Sequence, residues 1–178
     1  MKKNFKKNRQ KGFSLVEVLL VVFILSTALT VFIQVISKSI VHSIESQDSI
    51  IAAGLAQEGV ELVKNIRDNN WAKKETVFDG LETSPCIINY NRDTCVPGSY
   101  DLKFNNDGFY NHDAGETTKF FRKIEINKDD LTKREVTSYV IWSRPWSGSG
   151  FSTPTSSNCY IANKCVYAKI TLTQWGGE

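Results

Sequence analysis

The stretch that decides the fold is KGFSLVEVLLVVFILSTALTVFIQVI, from Lys11 to Ile36. Residues 1–11 contain no acidic residue and six basic residues, namely Lys2, Lys3, Lys6, Lys7, Arg9 and Lys11. Phe13 to Ile36 counts 24 residues and contains one charge, Glu17. At about 1.5 Å rise per residue, a helix of this length covers about 36 Å. Because a bilayer's hydrocarbon core is roughly 30 Å thick, the segment predicts a membrane-spanning helix.

The flanking sequence predicts how this helix is oriented. Positive charges precede the apolar segment and mixed sequence follows it, which places the N-terminus in the cytoplasm and the remaining residues outside. A cleaved secretory signal has an apolar region of about 7–15 residues and a small-residue cut site. Nothing of that kind follows Ile36, so any cut lies elsewhere.

Glu17 needs an explanation, since a carboxylate in a membrane helix costs on the order of 2.5–3.5 kcal/mol. One interpretation is a side chain that reaches toward the headgroups and is favoured by the positive end of the helix dipole. The other depends on the combination of a basic arm, Gly12, Phe13 and a glutamate five positions after the glycine.

This combination resembles the class III signal of type IV pilins and of the pseudopilins of type II secretion systems. In that family a prepilin peptidase cuts after the glycine and methylates the new terminal amine. The resemblance implies cleavage between Gly12 and Phe13 and N-methylation of Phe13. It also implies that Glu17 pairs with the terminal amine of a neighbouring subunit, so that the partner of the buried charge comes from another chain.

Composition is that of a folded domain plus an anchor, with 178 residues, 41% hydrophobic and 23% charged. The formal charge of +3 depends on the leader, because removal of residues 1–12 with their six positive charges leaves −3. The basic balance is therefore no evidence for nucleic-acid binding.

The cysteines agree with an exported head, since all four follow the apolar segment and disulfides form in oxidising compartments. Four cysteines allow three pairings. We favour Cys86 with Cys95 and Cys159 with Cys165, because each pair closes a loop rich in Asn, Thr and Ser. A zinc site is not favoured, since tight C-x-x-C spacing is absent and the two histidines, at 42 and 112, lie far from both pairs.

Residues 37–70 predict an amphipathic continuation of the helix. One apolar stripe recurs at steps of four and seven, and a second row adds small residues; the two rows are Ile40, Ile44, Ile51, Leu55, Leu62 and Ile66, and Ala52, Ala56, Gly59 and Val63. A bend is left open near Gly54 and Gly59, which weaken a helix by roughly 1 kcal/mol each. The helix is predicted to run from Ser14 and to end near Asp68–Asn70.

Residues 56–71 are also similar to the end of the long helix in minor-pilin-like proteins of the type IV pilus modification class. Trp71 at the helix exit is interpreted as a core plug that covers the end of the stripe, with ligand stacking as the alternative.

Beyond Trp71 the apolar period changes from 3.6 to 2, which predicts strands over 118–126, 134–142 and 164–175. Weaker candidates are 75–78, 87–90 and 100–104. An apolar sheet face needs cover, and the preceding helix is the available amphipathic element. The predicted fold class is α+β, with a long N-terminal helix on an antiparallel sheet, which is also the architecture that the pilin resemblance implies. The predicted divisions are 1–12 leader, 13–36 membrane and polymerisation half, 37–70 amphipathic half and 71–178 head.

Two loops are candidates for binding. Residues 143–163 carry Arg144, Trp146 and Phe151 in a Ser/Gly/Pro-rich stretch, where they either stack on a sugar, a base or a protein or fix the loop to the sheet. Residues 105–116 collect oxygen ligands of the kind that calcium takes. Their spacing does not match the twelve-residue calcium loop, and turns built from Asn, Asp and Gly have the same composition.

The sequence contains no phosphate loop, HExxH motif or nucleophile elbow, which argues against an enzyme and against a cofactor. The pattern favours a minor pilin or pseudopilin that is anchored in the inner membrane and then assembled into a cell-surface filament. The expected partners are other pilin subunits and the prepilin peptidase. The alternative is a signal-anchored exported adhesin, or a module that binds DNA or a surface without filament assembly. DNA is disfavoured by the acidic mature charge.

Overall fold

The computed structural model describes residues 12, 14–82, 84–130, 132–142 and 154–174. The chain divides into two compact units, Met1–Glu45 and Ser46–Glu178. The elements in chain order are α1 Leu15–Lys73, β1 Asp101–Phe104, β2 Tyr110–Asn111, β3 Glu116–Asp130, β4 Lys133–Ile141, a 3₁₀ helix Ile161–Asn163 and β5 Cys165–Thr173. The α+β fold class predicted from the sequence is confirmed.

Helix α1 is assigned without interruption through Gly54 and Gly59, although both glycines lower helix propensity. It ends three residues beyond the predicted stop at Asp68–Asn70. Asn70 does not terminate the helix, because its side-chain Nδ2 instead donates to the carbonyl oxygens of Asp79 (2.9 Å) and Val77 (3.4 Å) in the following turn. The residue after the helix, Lys74, has a left-handed backbone conformation with φ 59°.

The five strands form one antiparallel sheet in the order β2-β1-β3-β4-β5. The three strands predicted most clearly are present as β3, β4 and β5, and β1 falls within the weaker candidate 100–104. The prediction of strands at 75–78 and 87–90 was wrong. The first forms turns, and the second contributes one isolated bridge, between Ile87 and Val96. Val77 and Ile88 belong to these irregular segments, and both side chains are buried. Their apolar character is therefore explained by burial in the core and not by strand pairing.

The helix face that packs on the sheet is centred on the row of small residues. Its buried members are Asp48, Ala52, Leu55, Ala56, Gly59, Val60, Val63, Ile66, Arg67 and Asn70. Ile51 and Leu62 of the first predicted row lie at the margin, and Ile40 and Ile44 are exposed. Small side chains occupy the centre because the helix lies very close to the sheet there. A Cβ placed on Gly59 would clash with Ser138 Oγ and lie 3.1 Å from Arg122 Cδ.

Both faces of the sheet are buried at its centre, on strands β3 and β4. Arg122 faces α1, whereas its neighbour Lys123 faces the opposite side, where Nζ lies 3.3 Å from the Pro154 carbonyl oxygen and 5.2 Å from the centre of the Tyr139 ring. Both cations are almost inaccessible, with 0% and 2% exposure. The segment 154–165 thus covers the face of the sheet that α1 does not.

Trp71 does not plug the core, contrary to the sequence interpretation. Its side chain is 54% exposed. Three positions earlier along the helix, Asp68 is exposed as well, whereas Ile66, Arg67 and Asn70 are buried. Trp71 therefore lies on the outward side of the last turn, and the end of the core is closed by Val77, Phe78 and Leu81 from the following turns.

Candidate functional site

The predicted processing point lies immediately before α1. Gly12 is exposed, and no heavy atom of the described residues lies within 4 Å of an ideal Cβ position there; Phe13 lies outside the described residues. The first bond of the helix runs from Val18 N to Ser14 O (3.2 Å), and the helix itself begins at Leu15. Gly12 therefore lies just outside the regular helix and is not covered by any other described part of the chain.

Glu17 lies in the first turn of α1 and is exposed. An acidic side chain at this position interacts favourably with the unpaired N–H groups and the positive dipole end of the helix. None of the described residues forms an ion pair with Glu17. A cationic partner from another molecule therefore has access to this carboxylate.

The first six turns of α1, from Leu15 to Ile36, expose apolar side chains in every direction. Exposed fractions run from 76% at Leu15 to 43% at Ile36. The most apolar window has a mean hydropathy of 2.6, and this is the one described helix long and apolar enough to cross a membrane. A helix that is apolar all round fits a lipid environment or a bundle of similar helices better than water.

The hydroxyl groups in this segment bond to carbonyl oxygens of their own helix. Ser26 Oγ donates to Phe23 O (2.9 Å), Thr30 Oγ1 to Thr27 O (2.8 Å), and Ser37 Oγ to Ile33 O (2.9 Å). Because a polar group without a partner is costly in lipid, these internal bonds lower the cost of placing the helix in a membrane.

All four cysteines form disulfides, Cys86 with Cys95 and Cys159 with Cys165. These are the sequence-local pairs that the loop composition favoured. Cys86 also exchanges backbone hydrogen bonds with Ile124 of β3 (2.9 and 3.1 Å), which attaches the first disulfide loop to the sheet. With every thiol in a disulfide, no cysteine is available as a thiolate ligand for zinc.

The oxygen-rich loop 105–116 uses its side chains for internal hydrogen bonds. Asn105 Oδ1 accepts from Phe109 N (2.8 Å), and Asn111 Oδ1 accepts from the backbone N–H groups of Asp113 (2.9 Å) and Ala114 (2.8 Å). Gly108 and Gly115 have positive φ values of 86° and 127°. Across the described part of the chain, no three His, Cys, Asp or Glu side chains converge in a geometry that could hold a metal ion. These contacts are those of turns.

His112 at the end of this loop is buried, with 6% exposure. Its Nδ1 donates to the Asp101 carbonyl oxygen (3.1 Å), and its backbone N–H donates to Asn89 Oδ1 (2.9 Å). Burial, with the nearby positive charge of Arg122, lowers the pKa of His112 from 6.5 to about 4. The side chain is therefore neutral at physiological pH, and it serves to join the 105–116 loop to strand β1.

Asp113 connects the same loop to the first disulfide loop. Its carboxylate accepts from Asn89 Nδ2 (2.8 Å) and pairs with Arg92 Nη2 (3.0 Å), and Lys103 Nζ donates to its backbone oxygen (2.9 Å). The cluster is best explained as a structural support for the β1–β2 edge.

The binding loop proposed from its aromatic residues, with Arg144, Trp146 and Phe151, lies outside the described residues. Sequence reasoning did not identify Arg122 as a buried structural residue. A signal was present, because the alternation of β3 places Arg122 on the same side as Phe120, Ile124 and Ile126, the apolar side of the strand.

Comparison with known proteins gives one match. Residues 7–33 match the family model of the prokaryotic N-terminal methylation motif, which is the type IV pilin signature. Searches among curated proteins and among solved structures gave no significant match. The matched range contains Gly12, Phe13 and Glu17, and it ends within the exposed apolar part of α1.

Proposed function

We propose that this chain, a type IV pilin-like protein by its N-terminal motif, is a minor pilin or pseudopilin of a type IV pilus or a related type II secretion-like filament. Its role is structural and not enzymatic. Prepilin peptidase cuts between Gly12 and Phe13 and methylates the Phe13 amine. The subunit is held in the inner membrane by residues 13–36, with the N-terminus in the cytoplasm, until it is assembled.

One observation carries this proposal. The processing motif is followed at once by a helix whose apolar side chains from Leu15 to Ile36 are exposed, and the same helix contributes the buried face of a folded head. A simple anchor needs the membrane segment alone. The segment Leu15–Ile36 follows the processing point and is apolar on all sides. It therefore also suits packing against the same segment of other subunits in a filament core.

The proposal assigns each division of the chain a task. Residues 1–12 are the cytoplasmic leader, 13–36 the anchor and later the polymer contact, 37–70 the support of the head, and 71–178 the exported domain. The exported location is supported by two disulfides in the head, since such bonds persist in oxidising compartments.

Mass spectrometry of the chain isolated from its native cells tests the processing. We expect an N-terminal peptide that begins with N-methylated Phe13 and lacks residues 1–12. A Gly12→Val variant, with the helix unchanged, should keep its leader and stay in the membrane fraction. A wild-type chain that retains Lys2 to Gly12 in cells with an active peptidase would contradict the proposal and favour the signal-anchored adhesin or binding module.

A further inference from the structure

The last turn of α1 carries a cavity with a mainly apolar wall. The cavity has a volume of about 310 Å³ and is lined by Arg67, Asp68, Trp71 and Ala72. The Trp71 side chain is 54% exposed. An apolar cavity of about 150 Å³ is large enough to bind benzene, so this one has room for an indole ring. We call it the Trp71 cavity.

The charged groups of the lining already have partners within the chain. Arg67 Nε lies 2.6 Å from Asp68 Oδ1, and Arg67 Nη1 donates to the Thr173 carbonyl oxygen (3.0 Å). The cavity therefore offers an occupant chiefly the ring of Trp71 and the methyl group of Ala72. An aromatic side chain suits these groups, because a ring packs against another ring and buries a large apolar area.

The chain itself brings an aromatic residue to this point. Strand β5 ends at Thr173, whose carbonyl oxygen contacts the lining residue Arg67. Gln174 is also fixed, because its backbone N–H donates to the Thr132 carbonyl oxygen (2.8 Å). The next residue is Trp175, which lies outside the described residues. Two residues of chain span at most about 7 Å, so Trp175 is within reach of the cavity. Because β5 has ended, its alternation of side-chain directions does not determine which way Trp175 points.

The other aromatic residues of the head outside the described part, Trp146 and Phe151, start from different places. Their segment leaves the sheet where β4 pairs with Cys165, eight residue steps and about 27 Å from Thr173. It returns at Pro154, on the face of the sheet that α1 does not cover. Neither aromatic residue is more than four residues from the described chain, a reach of at most about 14 Å. Of these residues, Trp175 is therefore the one that the chain places nearest to the Trp71 cavity.

We infer that the indole ring of Trp175 packs into the Trp71 cavity, against the ring of Trp71. Aromatic pairs prefer offset or edge-to-face arrangements with ring centres about 4.5–7 Å apart. The contact joins the end of the last strand to the last turn of the helix. It also assigns a partner to Trp71, because the ring stacks on another residue of its own chain and not on a ligand. The inference does not depend on the proposed function, since it concerns the folded head of a filament subunit and of a monomeric exported domain alike.

Fluorine NMR of the full chain in mild detergent tests the contact, with 5-fluorotryptophan at all four tryptophan positions. Single Trp→Phe variants assign the four signals. We expect Trp175→Ala to move the Trp71 signal toward that of the unfolded chain. A soluble gadolinium chelate should then relax the Trp71 signal about twofold faster, because the ring loses the cover of one of its two faces. Trp175→Phe keeps an aromatic ring and should retain most of the protection.

The signal of Trp142 shows in the same spectra whether each variant is folded. Trp142 is 5% exposed in the core, so its signal should stay at the wild-type position. A Trp71 signal that keeps its position and its relaxation in a folded Trp175→Ala variant would overturn the inference. The proposed function would stand in that case, because leader removal and filament incorporation do not depend on this contact.

The matched control is Leu131→Ala. Leu131 also lies outside the described residues, and its neighbour Thr132 bonds to Gln174 at this end of the sheet. We expect Leu131→Ala to leave the Trp71 signal unchanged. A change with Leu131→Ala and none with Trp175→Ala would assign the cavity to the turn between β3 and β4 and overturn the inference. A Trp71 signal that depends on chain concentration, and not on Trp175, would assign the cavity to a second copy and overturn it as well.

Discussion

Arg122 on β3 and Glu58 on α1 form an ion pair of 3.1 Å between Nη1 and Oε1, although the arginine side chain is wholly buried. Arg122 also donates to two backbone carbonyl oxygens, those of Ile88 (3.0 Å) and Leu55 (3.4 Å). Burial lowers the pKa of Arg122, and the Glu58 carboxylate opposes that change. The guanidinium therefore connects the helix, the sheet and the first disulfide loop through a single charge.

Removal of the Glu58 carboxylate should destabilise the head. Glu58→Gln leaves a buried cation without its counter-charge, and we expect the free energy of unfolding to fall by about 1–3 kcal/mol. In an Arg122→Met background the same change should have little effect. Urea unfolding of the full chain in mild detergent, followed by near-ultraviolet circular dichroism, measures both.

The control for this pair is Glu61→Gln. Glu61 pairs with Lys64 at 3.4 Å on the exposed side of the helix, where ion pairs contribute roughly 0–1 kcal/mol. If Glu58→Gln and Glu61→Gln lowered the free energy of unfolding equally, the ion pair with Arg122 would stabilise the head no more than an exposed ion pair does.

The two helix glycines should respond in opposite directions to alanine. No described residue outside the local helix backbone lies within 4 Å of an ideal Cβ at Gly54, so Gly54→Ala should raise the free energy of unfolding by up to about 1 kcal/mol through helix propensity. Gly59→Ala places a methyl group against Ser138 and Arg122 and should lower it by about 1–3 kcal/mol. The same unfolding assay compares them. Stabilisation by both substitutions would contradict the close approach of helix and sheet at Gly59.

Acidification should destabilise the head through His112. Because its pKa is about 4 in the folded chain and 6.5 ordinarily, the unfolded chain binds the proton first as pH falls. The contribution is fully present above pH 6.5 and is lost as pH falls toward 4, at a cost of about 3 kcal/mol. Urea unfolding at pH 7, 5.5 and 4 measures this loss.

The matched variants for this prediction are His112→Asn, whose amide can still donate to the Asp101 carbonyl, and His42→Asn. The first should remove most of the loss between pH 6.5 and 4, and the second should leave it unchanged. An NMR titration that gives His112 a pKa near 6.5 would refute the assignment.

Each disulfide should stabilise the head by restricting the unfolded chain. For loops of this length the chain-entropy estimate is about 2–3 kcal/mol each. Replacing Cys86 and Cys95 together by Ala should cost more than replacing Cys159 and Cys165, because the first pair lies in the main core beside Ile124 and Val136. Thermal unfolding of the two double variants gives the order. The reverse order would indicate that the core near Cys86 repacks.

Glu17→Val tests whether the Glu17 carboxylate takes part in assembly. Valine removes the carboxylate without shortening the apolar helix, so membrane insertion should be retained or improved. Leader removal should persist. If Glu17 pairs with the Phe13 amine of a neighbouring subunit, as the pilin resemblance implies, incorporation into filaments should fall strongly because that amine loses its partner. Fractionation of cells and sheared filaments measures these steps separately. Normal incorporation of the variant would count against the pairing.

Much of the architecture could be predicted because it depends on local patterns. The basic arm, Gly12 and the apolar run to Ile36 identify the N-terminal signal without any contact information. The 3.6-residue period predicts the helix, and the two-residue period predicts β3, β4 and β5. These features depend on neighbours along the chain, so the sequence alone determines them.

Tertiary structure decided the features that depend on what lies opposite a residue. The helix extends beyond its expected end because the Asn70 side chain donates to carbonyl oxygens of the following turn. Trp71 is exposed because the buried face of the last turn is formed by Ile66, Arg67 and Asn70. The small residues around Gly59 form the contact because the sheet lies against them, and Arg122 is buried because Glu58 and two carbonyl oxygens surround it. A sequence pattern predicts that a residue is apolar or helical, but only the fold determines which partner it meets.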